Sequence, residues 1–156
     1  MKKILMMLVC IWIISISAEA PPTHIEYNLP EPKIEYPFGI EDTVLLSFIR
    51  LESNFNEKAV NPVTGARGIL QILPVMVAEA NRLQAIHGKS LVYTWDDAWD
   101  VAKSIEIWYL VQGHHNPDYD LQRACQIWFG RGVQYDGMTW REYHEKVKTY
   151  LITYTT

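Results

Sequence analysis

The sequence predicts a mainly α domain of about five helices, and three observations carry that. Apolar residues recur at helical spacing in four separate stretches, helix-start and helix-stop residues bound these and mark a fifth helix, and no stretch shows the strong alternation of a half-buried strand. With 156 residues the chain can form one domain with a real core. Any β element can only be minor.

The first helix is expected from about Glu41 to Asn54, with Val44, Leu45, Phe48, Ile49 and Leu51 forming a broad apolar stripe and Asp42 or Glu41 facing the positive end of the helix dipole. A turn-rich loop follows, broken by Asn61-Pro62, Gly65 and Gly68. Pro74 suits the first turn of a second helix ending near Leu83. Thr94-Trp95-Asp96-Asp97 is a capping-box pattern that opens a third helix, carried by Ala98, Val101, Ala102, Ile105, Trp108, Tyr109 and Gln112 and closed by Gly113. Asn116-Pro117 starts a fourth, with Leu121, Ala124, Cys125 and Trp128 on one face, ended by Gly130 and Gly132. Thr139-Trp140-Arg141-Glu142 caps a fifth, with Tyr143, Val147, Tyr150 and Leu151 inward.

Ahead of the helices, Met1 to Ala20 reads as a signal peptide. Lys2 and Lys3 form its positive end, and Ile4 to Ile14 form an apolar run too short for a comfortable membrane span. Ala18-Glu19-Ala20 has the small-x-small cleavage pattern, although Pro21 follows it; Ser15-Ile16-Ser17 is the alternative, and an uncleaved anchor is the bland reading. Residues 21–39 are punctuated by Pro21, Pro22, Pro30, Pro32 and Pro37 and are expected to form an extended arm. The domain then occupies residues 40–156. Of the two cysteines, Cys10 lies in the signal segment, so the mature chain carries Cys125 alone and no internal disulfide. Cys125 lies among apolar helix positions and is expected to be buried and inert.

Glu52 is the residue that points to chemistry. It follows Leu45 by seven residues, Phe48 by four and Ile49 by three, so it falls on the core-facing stripe. A carboxylate there is partly desolvated and its pKa rises, as a general acid working near neutral pH requires. The bland alternative is a helix-end carboxylate, solvated or paired with Arg50. Gln71 sits inside the apolar run after the glycine loop, and its amide has both donor and acceptor to read hydroxyls or an N-acetyl group.

Glu52-Ser53, then Gly65-Ala66-Arg67-Gly68-Ile69-Leu70-Gln71-Ile72 and Pro74, resemble the soluble lytic transglycosylases, whose domain is lysozyme-like and related to goose-type lysozymes. Glu-Ser corresponds to their first motif; Gly-Ala-x-Gly-Leu-Met-Gln-x-x-Pro is their second, with Ile69 and Leu70 as conservative replacements here. The resemblance implies helices around a substrate cleft, Glu52 as the catalytic residue, and Ser53, Gly68, Gln71 and Trp128 as substrate contacts. It implies a lyase acting on the β-1,4 bond between N-acetylmuramic acid and N-acetylglucosamine in peptidoglycan, with a 1,6-anhydromuramic end as product and no metal or cofactor. The family's third motif, Ala-Tyr-Asn-Ala-Gly or Ile-Trp-Asn-Gly-Gly, has its counterpart in Ile127-Trp128-Phe129-Gly130-Arg131-Gly132. Phe129 therefore stands where Asn is expected and cannot replace its hydrogen bonds. Downstream, Tyr143-His144-Glu145-Lys146-Val147 resembles the family's Tyr-x-x-Lys-Val.

Two other readings stand beside this one: a hydrolytic lysozyme, and a degenerate module that binds peptidoglycan without cutting it. Ordinary glycosidases pair two carboxylates across the bond; Glu57, Asp96 and Asp97 exist, but no motif marks any of them. The 6 Trp and 9 Tyr fit a carbohydrate cleft, with core packing as the bland account of any single one. A formal charge of −4 with no basic stripe argues against nucleic acid as a partner. The adjacent His114 and His115 cannot easily share an ion and have no third ligand spaced for one. The small build resembles transglycosylases that open the wall for secretion, conjugation or phage assemblies, with general wall turnover equally open. The place of action implied is the periplasm or the cell exterior, with membrane attachment only through the signal segment if it stays uncleaved.

Overall fold

A computed structural model describes residues 42–90, 92–130 and 137–155. The stretch read as a signal peptide, the stretch expected to be a proline-rich arm and the Arg131-Gly132 end of the third motif lie outside them. Five α-helices and one short 3₁₀ helix make up the described residues: α1 Thr43–Ser53, α2 Pro74–Ile86, the 3₁₀ helix Trp95–Trp99, α3 Val101–His115, α4 Leu121–Phe129 and α5 Trp140–Thr155. The class is mainly α. No strand forms among the described residues; the β content there is isolated bridge positions, including the antiparallel pairs Val60 to Arg67 and Arg67 to Ile72.

Helix α1 is the axis of the domain. Leu45, Leu46, Ser47, Phe48 and Ile49 are five consecutive buried residues, so this helix is enclosed on every side there. Asp42 starts it, accepting hydrogen bonds from the Val44 and Leu45 amides at 2.9 and 3.0 Å. Asn54 ends it in the left-handed conformation, its amide donating to the Arg50 carbonyl. Helix α5 packs along α1 and α4, and α2 packs on α3. Phe48 is the junction, with ring centroids 4.3 Å from Trp108 of α3 and 5.8 Å from Tyr143 of α5. The aromatic contacts continue from Trp108 to Trp128 at 4.7 Å and from Tyr143 to Phe129 at 5.0 Å.

Three boundaries differ from the sequence expectation. The Thr94 capping box is present, but it caps the 3₁₀ helix alone. Asp100 is extended, with φ −91° and ψ 119°, and restarts the chain as the N-cap of α3, its carboxylate accepting from the Lys103 amide. Ala98 and Val101 preserve the apolar spacing across this break, which hides it from periodicity. Gly113 does not close α3; the helix continues to His115 and Asn116 is its C-cap. Nor does Asn116-Pro117 open α4. The Asn116 side chain holds the intervening turn by donating to the Asp120 carbonyl and accepting from the Asp120 amide, both at 3.0 Å, and Asp120 caps the helix. Cys125 is buried and free, and burial pushes its thiol up to about 12, so it remains protonated and unreactive at neutral pH. No helix among the described residues is long and apolar enough to cross a membrane.

Candidate active site

The last turn of α1 opens into a cleft of about 240 Å³ whose walls include Glu52, Asn61, Thr64, Gln71, Trp128 and Tyr143. Glu52 sits one turn beyond Phe48, so its backbone is fixed by the most buried segment of the fold. Its carboxylate accepts a hydrogen bond of 2.5 Å from the Tyr143 hydroxyl, which comes from α5. Burial raises the Glu52 pKa to about 7, and the Tyr143 bond opposes that rise without cancelling it. Arg50 does not pair with Glu52; it is exposed and lies over the Phe55 and Tyr150 rings. At neutral pH Glu52 is thus poised between acid and base, in contact with a cleft large enough for a ligand group.

Gln71 is brought to the same cleft by the glycine loop. The Arg67 and Ile72 backbones pair in both directions, at 3.1 and 2.8 Å, and close a four-residue turn. Ile69 and Leu70 point into the core from that turn, while Gln71 adopts φ +50° and joins the cleft wall. The Gln71 amide nitrogen donates to the carbonyls of Ala59 and Gly68, at 3.2 and 3.0 Å. Two carbonyl partners require the NH₂ end of the amide, so the amide oxygen is the group left for a ligand. Trp128 donates its indole N–H to the Leu70 carbonyl at 3.2 Å, which commits its polar edge to the same turn and leaves its ring to the cleft.

Ser53 and Gly68 are placed differently. The Ser53 hydroxyl turns back to the Ile49 carbonyl at 3.3 Å, and Ser53 is not part of the cleft wall. Gly68 is buried at φ +76° beneath the turn, and a Cβ built there comes within 1.8 Å of the Ala98 carbonyl oxygen. The structure therefore brings Glu52, Gln71 and Trp128 together and seats Gly68 against the 3₁₀ helix. Arg67 completes that seat: its guanidinium lies 3.4 Å from the Trp95 ring centroid and 3.3 Å from the Asp96 carboxylate.

Sequence reasoning placed Tyr143 in the core and missed its contact with Glu52. Helical periodicity marks a residue as inward without saying what its hydroxyl meets; the resemblance to Tyr-x-x-Lys-Val was the available signal. Removing that hydroxyl in Tyr143→Phe is expected to raise the Glu52 pKa further, because the lost bond favoured the charged form. If Glu52 acts as an acid, the alkaline limb of a pH–rate profile moves to higher pH; a limb that stays or moves down contradicts this electrostatic account.

Phe129 is only 8% exposed and packs against Tyr143, so it acts as a brace for the residue that holds Glu52. Phe129→Asn is expected to destabilise the fold by about 1–3 kcal/mol, the usual cost of an ill-paired buried amide. Thermal unfolding checks this, and a variant that is equally stable and more active would mean that the amide, not the ring, suits this place. Of the two adjacent histidines, His115 pairs with Glu79 at 2.6 Å.

Glu57 is exposed on the loop, Asp96 pairs with Arg67, and Asp97 is used in the Thr94 cap. Glu52 is therefore the one carboxylate on the cleft wall among the described residues. A single half-buried acid and a glutamine held by a glycine turn thus share one cleft wall. The family model described as the transglycosylase SLT domain matches residues 32–119, which carry both motifs and end just before α4. No curated protein and no solved structure gives a significant match. The matched stretch covers more than half of the chain and includes Glu52 and Gln71, and on it the chain belongs to the transglycosylase SLT domain family, a lysozyme-like family of lytic transglycosylases.

Proposed function

We propose that the protein is a peptidoglycan lytic transglycosylase that cleaves the β-1,4 bond between N-acetylmuramic acid and N-acetylglucosamine and leaves a 1,6-anhydromuramic end. The observation that carries this reading is the solitary Glu52, held near neutral pKa at the cleft wall with no second carboxylate beside it among the described residues. Protonated Glu52 gives its proton to the bridging oxygen as the bond to the anomeric carbon breaks. The substrate's own N-acetyl group stabilises the developing cation. The Glu52 carboxylate then takes the proton of the muramic 6-hydroxyl, whose oxygen closes onto the anomeric carbon, and Glu52 is protonated again. No water is added. Because the nucleophile belongs to the substrate, the second step is intramolecular and a second carboxylate to activate water is not needed.

Gln71 supports the same reading, since its free amide oxygen can accept from a sugar hydroxyl or N-acetyl N–H, and the Trp128 ring offers an apolar face to a sugar. Residues 1–20, read as an export signal, support action in the periplasm or outside the cell. A wall-spanning secretion, conjugation or phage assembly is one partner that a domain of this size suits, with general wall turnover equally open.

The test is product analysis after incubating the purified protein with isolated peptidoglycan. Muropeptides are expected to weigh one water less than lysozyme products and to resist borohydride. Reducible, hydrated ends would move the protein to the hydrolases, and binding without cleavage would make it a wall-binding module.

A further inference from the structure

A second groove, of about 430 Å³, runs along the seam of α4 and α5 and is lined by Gln122, Gln126, Trp140, Arg141, His144 and Glu145. Gln126 marks it as more than a surface dent. That residue is only 7% exposed, yet its side-chain amide has no hydrogen-bond partner among the described residues, and it reaches the groove. Its amide atoms are not sealed from solvent, so they stay open at the groove to exchange hydrogen bonds with a ligand. Gln122 stands one turn earlier on the same face of α4.

Across the seam, Arg141 lies over the Trp140 ring at 4.9 Å, so its planar fork is held at the groove. Glu145 is the one acid there, and it is engaged by Lys148 at 3.0 Å and by His144 at 3.6 Å. With that charge answered, the unpaired ion of the groove is the Arg141 cation. Two amides can each exchange a donor and an acceptor with a peptide bond, and a guanidinium beside them takes a carboxylate.

The groove also borders the cleft. Gln126 precedes Phe129 by one turn of α4 and Trp140 precedes Tyr143 by one turn of α5, while Phe129 and Tyr143 form part of the cleft wall. One turn is about 5.4 Å, within reach of a substituent carried by a polymer lying in the cleft.

We propose that the α4–α5 groove is a second binding site, taking a carboxylate-bearing peptide substituent of the wall polymer, with Gln126 and Gln122 on the peptide bonds and Arg141 on the carboxylate. The identity of this ligand rests on the peptidoglycan reading; the existence of the site does not.

The experiment titrates a free tripeptide of the stem type, L-Ala-γ-D-Glu-L-Lys, into the full chain while the Gln side-chain amide and Trp indole resonances are followed by NMR. Shifts are expected at Gln126, Gln122 and Trp140, with binding weakened about tenfold or more by Arg141→Ala, the loss of one charge-assisted contact. Gln126→Leu should abolish the shifts and leave the melting temperature unchanged or higher, since no protein partner is lost; a large drop would mean that the amide is structural and would overturn the proposal. Absence of shifts at millimolar peptide, or shifts with peptide-free glycan strands alone, would overturn it too. Failure of the cleavage reading is distinguishable: if the protein does not cut peptidoglycan but the tripeptide still binds here, the groove stands and the lyase reading falls, and the reverse pattern sinks the groove alone.

Discussion

Glu52→Gln is expected to abolish clearing in a peptidoglycan-impregnated gel while the fold survives. Gln keeps the size and shape of the side chain and can still accept from Tyr143, so packing at the end of α1 is preserved. What goes is the titrating proton that leaves with the bridging oxygen and returns from the 6-hydroxyl. The loss should be at least roughly 10²-fold, the lower end for removing a general acid. A variant that clears the gel like the parent would dismiss Glu52 from catalysis.

The same substitution has a second, independent signature in stability. Folding raises the Glu52 pKa from 4.5 to about 7, so between those values the native state binds more proton than the unfolded chain. The stability that this group contributes is whole below pH 4.5 and is lost as pH rises through 7. At pH 8 the parent thus carries an ionised, half-buried carboxylate at a cost of about 3 kcal/mol by linkage. Glu52→Gln is free of that cost. It should melt higher than the parent at pH 8 and lose the advantage at pH 4. Equal melting curves across this range would mean that Glu52 is solvated with an ordinary pKa, and the acid role would lose its physical basis. In the parent, cleavage should fall as pH rises through about 7, because the protonated form is consumed.

The site was legible in the sequence where chemistry and local pattern coincide. Glu52 stood out because a carboxylate interrupts an apolar stripe, and Gln71 because an amide interrupts an apolar run just after two turn glycines. Helix α1 followed from its cap and period and α2 from Pro74, each with ends within a few residues, and the start of α5 followed from its cap. What sequence could not show was long-range. Tyr143 lies 91 residues from Glu52, and only packing of α5 on α1 brings its hydroxyl to the carboxylate. The break at Asp100 was hidden because the apolar spacing runs on across it. Phe129 illustrates the same limit from the other side: by motif it is a missing amide, and by packing it is the ring that steadies Tyr143.

Gly68→Ala is expected to be the most destabilising single substitution near the site. By resemblance Gly68 is a substrate contact, but its place in the fold points to packing. The chain passes there at φ +76° with the Ala98 carbonyl 1.8 Å from where a Cβ would lie, and that oxygen belongs to backbone that cannot rotate away. The Ser104 hydroxyl also donates to this carbonyl at 3.1 Å, which ties it further to the start of α3. Relief requires moving the 3₁₀ helix or the turn that carries Ile69, Leu70 and Gln71, at a cost of roughly 4 kcal/mol or more, in the range reserved for strain and overpacking together. Gly65→Ala is the matched control. It also has positive φ, +73°, but its Cβ would meet nothing nearer than the Trp95 ring at 4.0 Å. It should cost only the left-handed strain, about 1–2 kcal/mol. Denaturant unfolding of the two variants separates the terms. A large gap between them, with Gly68→Ala losing stability and activity together, makes Gly68 a packing glycine whose service to the cleft is to let Gln71 reach it. A Gly68→Ala protein that unfolds like Gly65→Ala yet no longer cleaves would instead return Gly68 to the substrate-contact role that the resemblance implies.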